Sequence, residues 1–259
     1  MGSPFPVTRP LTESNGSDQL LRDGEVTVLQ LAKHLKTSTT TVRRELTDLE
    51  GAGLLRRTHG GAILVEPMLY EPFRYLSSFV GQEQFHAAEK RRIGLAAAEM
   101  KDGETIALGA GTTTTQIGRS LRHRKGITVV TNAPNIAMEL SHRANLKIIV
   151  TGGSMSSDSF ALTGSLGIAA VGDMFYDKAF IGVDGIHPDH GLTTNCPDQV
   201  PVHRAMIRKS RQRIVVADHS KIGNVGTALI APITNVDLII TDESASQNLS
   251  EFSAKILKV

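Results

Sequence analysis

Residues 108–115, Leu108-Gly-Ala-Gly-Thr-Thr-Thr-Thr115, set two glycines and four consecutive threonines between an apolar run and a helical stretch through Ile117 to Leu121. Glycine lets backbone N–H groups approach a phosphate, and a helix N-terminus adds a favourable dipole. The threonines supply hydroxyl donors. A dinucleotide fingerprint is the obvious rival, but Gly109-Ala-Gly111 lacks its third glycine, and the next apolar run ends in Thr131-Asn132 where a ribose-binding acid would stand. A plain tight turn from strand to helix remains the other reading. Further polar groups follow later apolar runs: Asn132, Gly152-Gly153, Asp184-Gly185 and Asp218-His-Ser-Lys221. Each alone fits a cap or turn. Together they fall where ligands gather in open α/β sheets, at the carboxyl ends of the strands. The candidate effector set is therefore Gly109, Gly111, Thr112, Thr113, Thr114, Asn132, Gly152, Gly153, Asp184, Gly185 and Lys221, with Lys221 neutralising a phosphate and Asp184 accepting from sugar hydroxyls.

A second constellation lies near the N-terminus. Thr40, Arg43, Arg44 and Thr47 recur at i, i+3, i+4 and i+7, so they share one helical face, opposite Val42, Leu46 and Leu49. Paired arginines flanked by hydroxyls suit phosphate contact and guanine-edge readout. Ser38 is placed to cap that helix. Before it, Thr27-Val-Leu-Gln30 has the form of a capping box, followed by the apolar face Val28, Leu31, Ala32 and Leu35. After it, Leu54-Leu-Arg-Arg57 and Ala62-Ile-Leu64 flank the turn Thr58-His-Gly-Gly61, a hairpin with Arg56, Arg57 and His59 near its tip. Two helices and such a hairpin form a winged helix-turn-helix, with Ser38, Thr39, Thr40, Arg43, Arg44, Thr47, Arg56, Arg57 and His59 as candidate DNA contacts. Surface arginines on short helices are also common as plain solvated faces, and the hairpin at the right place favours the DNA reading.

The elements needed to position these groups are legible. The runs at 105–108, 127–130, 146–150, 179–183, 213–217 and 236–240 are β-branched and nearly continuous in apolar character, which suits strands buried on both faces of a parallel sheet. Helical stretches alternate with them, implying βαβ units. The expected organisation is a disordered leader (1–17), a winged helix-turn-helix domain (18–66), a linker (67–92) and an α/β domain with a mostly parallel sheet (93–259). The whole chain of 259 residues is 40% hydrophobic and 21% charged, ordinary for a globular protein. No stretch has the roughly 18 consecutive apolar residues of a membrane helix. The single cysteine, Cys196, excludes an internal disulfide and suits a reducing cytoplasm. The net charge is only +2, and residues 1–66 balance eight Lys/Arg against eight Asp/Glu. Nucleic-acid binding must then rest on where charges sit, not on their sum.

Gly24-Glu-Val-Thr-Val28, Thr41-Val-Arg-Arg-Glu-Leu46 and Gly53-Leu-Leu-Arg-Arg-Thr-His-Gly-Gly-Ala62 closely resemble the DNA-binding signature of DeoR-family regulators. Arg43 and Arg44 match the paired arginines of that family's recognition helix, and Glu45 stands where aspartate is commoner. The family opens with a further apolar helix, for which the stretch from Leu11 to Gly24 offers, after Leu11 itself, only Leu20 and Leu21. From about Glu89 to Glu243 the chain resembles the family's sensor domain, which is related to ribose-5-phosphate isomerase. Gly111-Thr-Thr113, Thr131-Asn132, Gly152-Gly153, Ile181-Gly-Val-Asp-Gly-Ile186, Gly191-Leu-Thr-Thr194 and Asp218-His-Ser-Lys221 carry that match. Two departures stand out, Asp198-Gln199 where an earlier acid is frequent and His203 where a basic residue is usual.

The resemblance implies a repressor of a carbohydrate operon, with a double-stranded DNA operator, a phosphorylated sugar effector and a homo-oligomeric state, dimer or tetramer. It implies no cofactor. An isomerase-like enzyme is the alternative, but Asp184-Gly-Ile-His-Pro188 lacks the second carboxylate such chemistry uses, and without a base turnover falls by about 10²–10⁴-fold. A metabolite sensor with a defective DNA-binding half is a third reading. His187, Asp189, His190 and Cys196 complete no known metal spacing, so no metal is expected.

Overall fold

The computed structural model describes residues 25–51, 55–64, 77–121, 125–141, 143–156, 159–245 and 249–259. The expected leader, the segment of the family's first helix and residues 65–76 of the expected linker lie outside them. The chain divides into two compact units, Met1–Met68 and Leu69–Val259.

In the first unit, β1 (Glu25–Thr27) runs into α1 (Val28–His34), and α2 (Thr39–Gly51) leads to β2 (Leu55–Arg57) and β3 (Gly61–Leu64). The capping box forms in full. Thr27 Oγ1 accepts from the Gln30 N–H at 3.2 Å, and Gln30 Oε1 accepts from the Thr27 N–H at 2.9 Å. Ser38 Oγ accepts from the Thr41 N–H at 3.1 Å, satisfying an orphan donor at the start of α2. Val26, Val28, Leu31, Ala32, Val42, Leu46, Leu55 and Ala62 close one small core, with Leu35 and Leu49 packed at its edge. The hairpin gains a third strand that the sequence did not suggest, since β1 pairs antiparallel with β3 in the order β1-β3-β2.

The second unit starts with α3 (Ser77–Gln84) and α4 (Ala87–Ala97), then β4 (Thr105–Leu108), α5 (Thr112–Ser120), β5 (Thr128–Thr131), α6 (Pro134–Leu140) and β6 (Lys147–Val150). A short hairpin, β7 (Ser154–Met155) and β8 (Leu162–Thr163), precedes α7 (Ser165–Gly172) and β9 (Tyr176–Gly182). There follow β10 (Gly185–His187), β11 (Gly191–Thr194), α8 (Val200–Arg208), β12 (Ser210–Val216), β13 (Ala228–Ala231), β14 (Leu238–Thr241) and β15 (Lys255–Lys258). Residues 77–92 are thus not linker. They form α3 and the first part of α4 and bury Phe79 and Lys90, so the sheet domain reaches back beyond residue 93.

The main sheet has the order β15-β14-β12-β9-β4-β5-β6, and every pairing is parallel. Alternate residues of its strands feed opposite cores. Ile106 and Leu108 join Ile93, Ile117 and Ile136 on the face covered by α4, α5 and α6, whereas Ala107, Ile181 and Val215 pack with Val202 and Met206 of α8. Two-sided burial explains why these strands read as continuous apolar runs. Strand order reverses between β4 and β9, with β5 and β6 to one side and β12, β14 and β15 to the other. A crevice outside the carboxyl ends of the strands is expected at that reversal. A second, antiparallel sheet, β10-β11-β13, flanks it.

Candidate functional site

In the first unit, α2 displays Thr40, Arg43, Arg44 and Thr47 to solvent, with Ser38 exposed and Thr39 half-buried at its start. Arg56, Arg57 and His59 are exposed on the hairpin. Arg43, Arg57, Thr58 and His59, with Val28 and Leu29, line one groove of about 210 Å³. The helix and the hairpin are tied together. Arg57 Nη1 donates to Thr47 Oγ1 at 3.0 Å, Thr47 Oγ1 donates to the Arg43 carbonyl at 2.9 Å, and the Arg57 N–H donates to Glu50 Oε1 at 2.8 Å. Thr47 and Arg57 therefore brace the surface as well as forming part of it.

In the second unit a cavity of about 350 Å³ opens at the strand-order reversal. Gly111, Thr112 and Thr113 form one wall, Val183 and Asp184 after β9 another, and Ala217 and Lys221 after β12 a third. Gly111 adopts φ 152°, a conformation that side chains resist, as it turns the chain into α5. Thr114 and Thr115 both donate their hydroxyls back to the Gly111 carbonyl, at 2.9 and 2.8 Å. Two threonines thus hold the loop while the two before them face the cavity.

Five of the expected effector residues line the cavity, namely Gly111, Thr112, Thr113, Asp184 and Lys221. The other six do not. Gly109 lies beneath the loop, its N–H bound to the Phe180 carbonyl, and Thr114 is fully buried. Asn132 is fully buried as a brace, accepting from the Ala110 N–H at 2.9 Å and donating to the Leu162 carbonyl at 3.2 Å. Gly152 and Gly153 lead from β6 into the β7–β8 hairpin, and Gly185 is paired with Thr193 across β10 and β11. Polar residues after strands here serve the scaffold as often as the crevice.

The cavity also has walls that the sequence did not reveal. Phe79 and Gln82 of α3 and Lys90 of α4 close one side, and Ser159, Thr194, Asn195, Cys196 and Gln199 close another. Lys90 is only 2% exposed and donates from Nζ to the Gln82 carbonyl. Burial pushes its ammonium below the usual lysine range, opposed by the nearby Asp218 carboxylate and reinforced by Lys221. A signal for it existed, since Lys90 shares a helical stripe with the buried Ile93, Gly94 and Ala97, and a lysine on an apolar stripe marks a buried cation. Asp184 is the one carboxylate among the described lining residues, and its Oδ2 accepts from Thr194 Oγ1 at 3.0 Å and the Asn195 N–H at 2.7 Å. Two lysines, a helix N-terminus and a restrained carboxylate are groups chemically able to hold an anion that carries hydroxyl groups.

Residues 18–68 match the DeoR-like helix-turn-helix domain, and residues 85–243 match the DeoR C terminal sensor domain. The chain belongs to the DeoR family. Among its DeoR-family relatives it is 32% identical over 243 residues to the transcriptional repressor AccR of Agrobacterium fabrum, spanning 93% of this chain and 92% of that one. It is 35% identical over 231 residues to the HTH-type transcriptional repressor GlcR of Bacillus subtilis, spanning 89% and 87%. Kinship with named regulators makes this DeoR-family chain a regulator and not an enzyme. Of solved structures, ribose 5-phosphate isomerase A of Methanocaldococcus jannaschii overlaps 51% of this chain and 53% of its own length, at 17% identity and a TM-score of 0.39. No helix among the described residues is long and apolar enough to cross a membrane.

Proposed function

We propose that this chain represses a carbohydrate operon by binding operator DNA through α2 and the β2–β3 hairpin, and releases it when a phosphorylated sugar fills the cavity at residues 111–113. The observation that carries the reading is the pairing of Lys90 and Lys221 with the N-terminus of α5 around one 350 Å³ space. A phosphate there meets backbone N–H groups, threonine hydroxyls and two cations, while Asp184, Asn195 and Gln199 face the sugar hydroxyls. Arg43, Arg44 and Arg56 give α2 and the hairpin their phosphate and base contacts, which suits a protein of low net charge. The chain acts as a homo-oligomer in the cytoplasm, and a dimer presents two recognition helices about 34–36 Å apart, one turn of DNA. The effector acts through its differing affinity for the DNA-bound and free conformations.

The test is an electrophoretic shift with DNA from upstream of the chain's own gene, with and without a panel of sugar phosphates. One member of the panel should release the DNA, and Arg43→Ala should abolish the shift while circular dichroism stays unchanged. A shift that survives Arg43→Ala would sink the DNA assignment. In thermal-shift measurements the same sugar phosphate should stabilise the wild type but not Thr112→Asp, whose carboxylate repels phosphate. An equal response in that variant refutes the phosphate-loop assignment.

A further inference from the structure

Beside the cavity, a group of side chains has no role in the reading above. His86, Asp218 and His219 each offer a ligating atom, and these atoms lie within 4.8 Å of one another. His86 immediately precedes α4, Asp218 and His219 follow β12, and Asp242, which follows β14, binds His219 from behind. We propose that this chain binds a divalent transition-metal cation of the zinc type at His86, Asp218 and His219, with Asp242 as the carboxylate that orients His219.

Three observations converge. First, Asp218 is fully buried, and its Oδ2 has no hydrogen-bond partner, while Oδ1 is occupied by the Ser220 N–H and hydroxyl. Asp242 is fully buried as well, and among the described residues neither carboxylate is ion-paired with a lysine or arginine. Lys90 is a nearby positive charge, yet Oδ2 of Asp218 is left unused, and a divalent cation supplies a direct partner at that oxygen. Second, His219 Nδ1 sits 2.9 Å from Asp242 Oδ2, and the His219 N–H donates to Asp242 Oδ1 at 2.7 Å. A carboxylate that takes one imidazole N–H fixes the tautomer and leaves the other nitrogen as a ligand, the usual support for a metal-binding histidine. Third, His86 holds φ 54° and ψ 39°, a left-handed conformation uncommon outside glycine, and its ring meets that of His219 edge to face at 4.4 Å. The backbone thus adopts a costly conformation that brings the two imidazoles together.

Two imidazoles and one carboxylate select zinc and its neighbours over calcium or magnesium, which take oxygen ligands. Three protein ligands leave a fourth position for water. Bonds of about 2.0–2.1 Å require the ligand atoms to draw in from their present spread. The cation would pin the start of α4 to the turn after β12, and so link the segments that carry Lys90 and Lys221.

Full-length protein stripped with chelator and dialysed is titrated with zinc chloride by calorimetry, and in parallel with cobalt(II), read by visible absorption. One ion per chain is expected, with the intense absorption of a four-coordinate site. His86→Asn, whose asparagine tolerates the left-handed backbone, should weaken zinc binding at least tenfold. Asp242→Asn should weaken it roughly 10–100-fold. The surface pair His187 and His190, with ring centroids 4.7 Å apart, is the competing location, so His187→Ala/His190→Ala should keep full binding. Absence of zinc uptake, uptake unchanged in His86→Asn, or uptake lost with the surface pair each overturns the proposal. Neither arm uses DNA or a sugar phosphate, so the result is independent of the regulatory reading.

Discussion

His203 should make the sheet domain sensitive to mild acid. Its side chain on α8 is 1% exposed, and neither ring nitrogen has a hydrogen-bond partner. It lies directly under the loop that leads into α5, since a Cβ added at Gly109 would come 3.1 Å from Nε2. Burial pushes its pKa down to about 4, against a smaller upward pull from the Asp184 carboxylate. In the unfolded chain the same imidazole titrates near its ordinary value of about 6.5. Between those two values the unfolded chain binds a proton that the folded chain refuses, so stability falls as pH falls through that window. The loss is complete only near pH 4. From pH 7.5 to 5.0 it amounts to about 2 kcal/mol, at about 1.4 kcal/mol per pH unit below 6.5. The assay is urea unfolding followed by far-ultraviolet circular dichroism, because the chain has no tryptophan. Wild type and His203→Leu are compared at pH 7.5, 6.5, 5.5 and 5.0. Titration of the other eight of the nine histidines is common to both and cancels. The wild type should lose about 2 kcal/mol more than the variant across that range, and the variant should also be free of two unsatisfied buried nitrogens. Parallel stability curves would refute the reasoning, for they would mean that the imidazole accepts its proton in the folded state.

Other consequences are as direct. A Cβ at Gly61 would stand 1.9 Å from the Val26 carbonyl oxygen, so Gly61→Ala must open the β1–β3 pairing. Operator binding should weaken roughly tenfold or more while the melting of the sheet domain stays put, and normal binding would contradict the structure. Arg119 bonds both oxygens of Glu139, at 2.6 and 2.8 Å, and reaches Glu83 at 2.9 Å, with all three side chains largely buried. Arg119→Met should destabilise by about 3–5 kcal/mol in thermal denaturation, and adding Glu139→Leu should recover part of that; no recovery would argue against the ion-pair account. Lys221→Met should weaken sugar-phosphate affinity by about 10–100-fold in a thermal-shift titration, given the roughly 1.5–3 kcal/mol of a charged hydrogen bond, and an unchanged midpoint would remove it from the proposed phosphate site.

Local rules made much of this molecule readable before any coordinates. The Thr27–Gln30 box, the Ser38 cap and the stripe Val42, Leu46, Leu49 are contacts within one turn or two, and they formed as their spacing implied. The parallel sheet was legible because burial on both faces leaves continuous apolar runs. The seventh strand was not, since Lys255-Ile-Leu-Lys258 lies at the sheet edge, carries a lysine at each end and is largely exposed. The cavity was half visible. Gly111 to Thr113 stand out by composition and do line the cavity, but Asn132 and Gly185 look the same in sequence whether they face a cavity or brace a turn. Phe79, Gln82 and Lys90 come from a stretch whose prolines and mixed polarity suggest a linker. Only the tertiary contact of α3 and α4 with the sheet turns it into a wall.

On the DNA contacts proposed above, the brace from Arg57 through Thr47 to Arg43 bears on how DNA would be read. Side chains that wave freely must be frozen when they meet a groove, and that ordering weakens association. Here the hairpin and the recognition helix are clamped to each other before DNA arrives, so their ordering is settled during folding. Such a rigid reading head discriminates by fit. A wrong base meets a surface that does not rearrange to accommodate it, and the penalty should emerge as faster dissociation more than as slower arrival. With the same proposed contacts, the Arg57 guanidinium held by Thr47 would be less free to meet phosphates. Fewer counterions are then released on binding, so affinity should fall less steeply with salt than four free arginines would dictate.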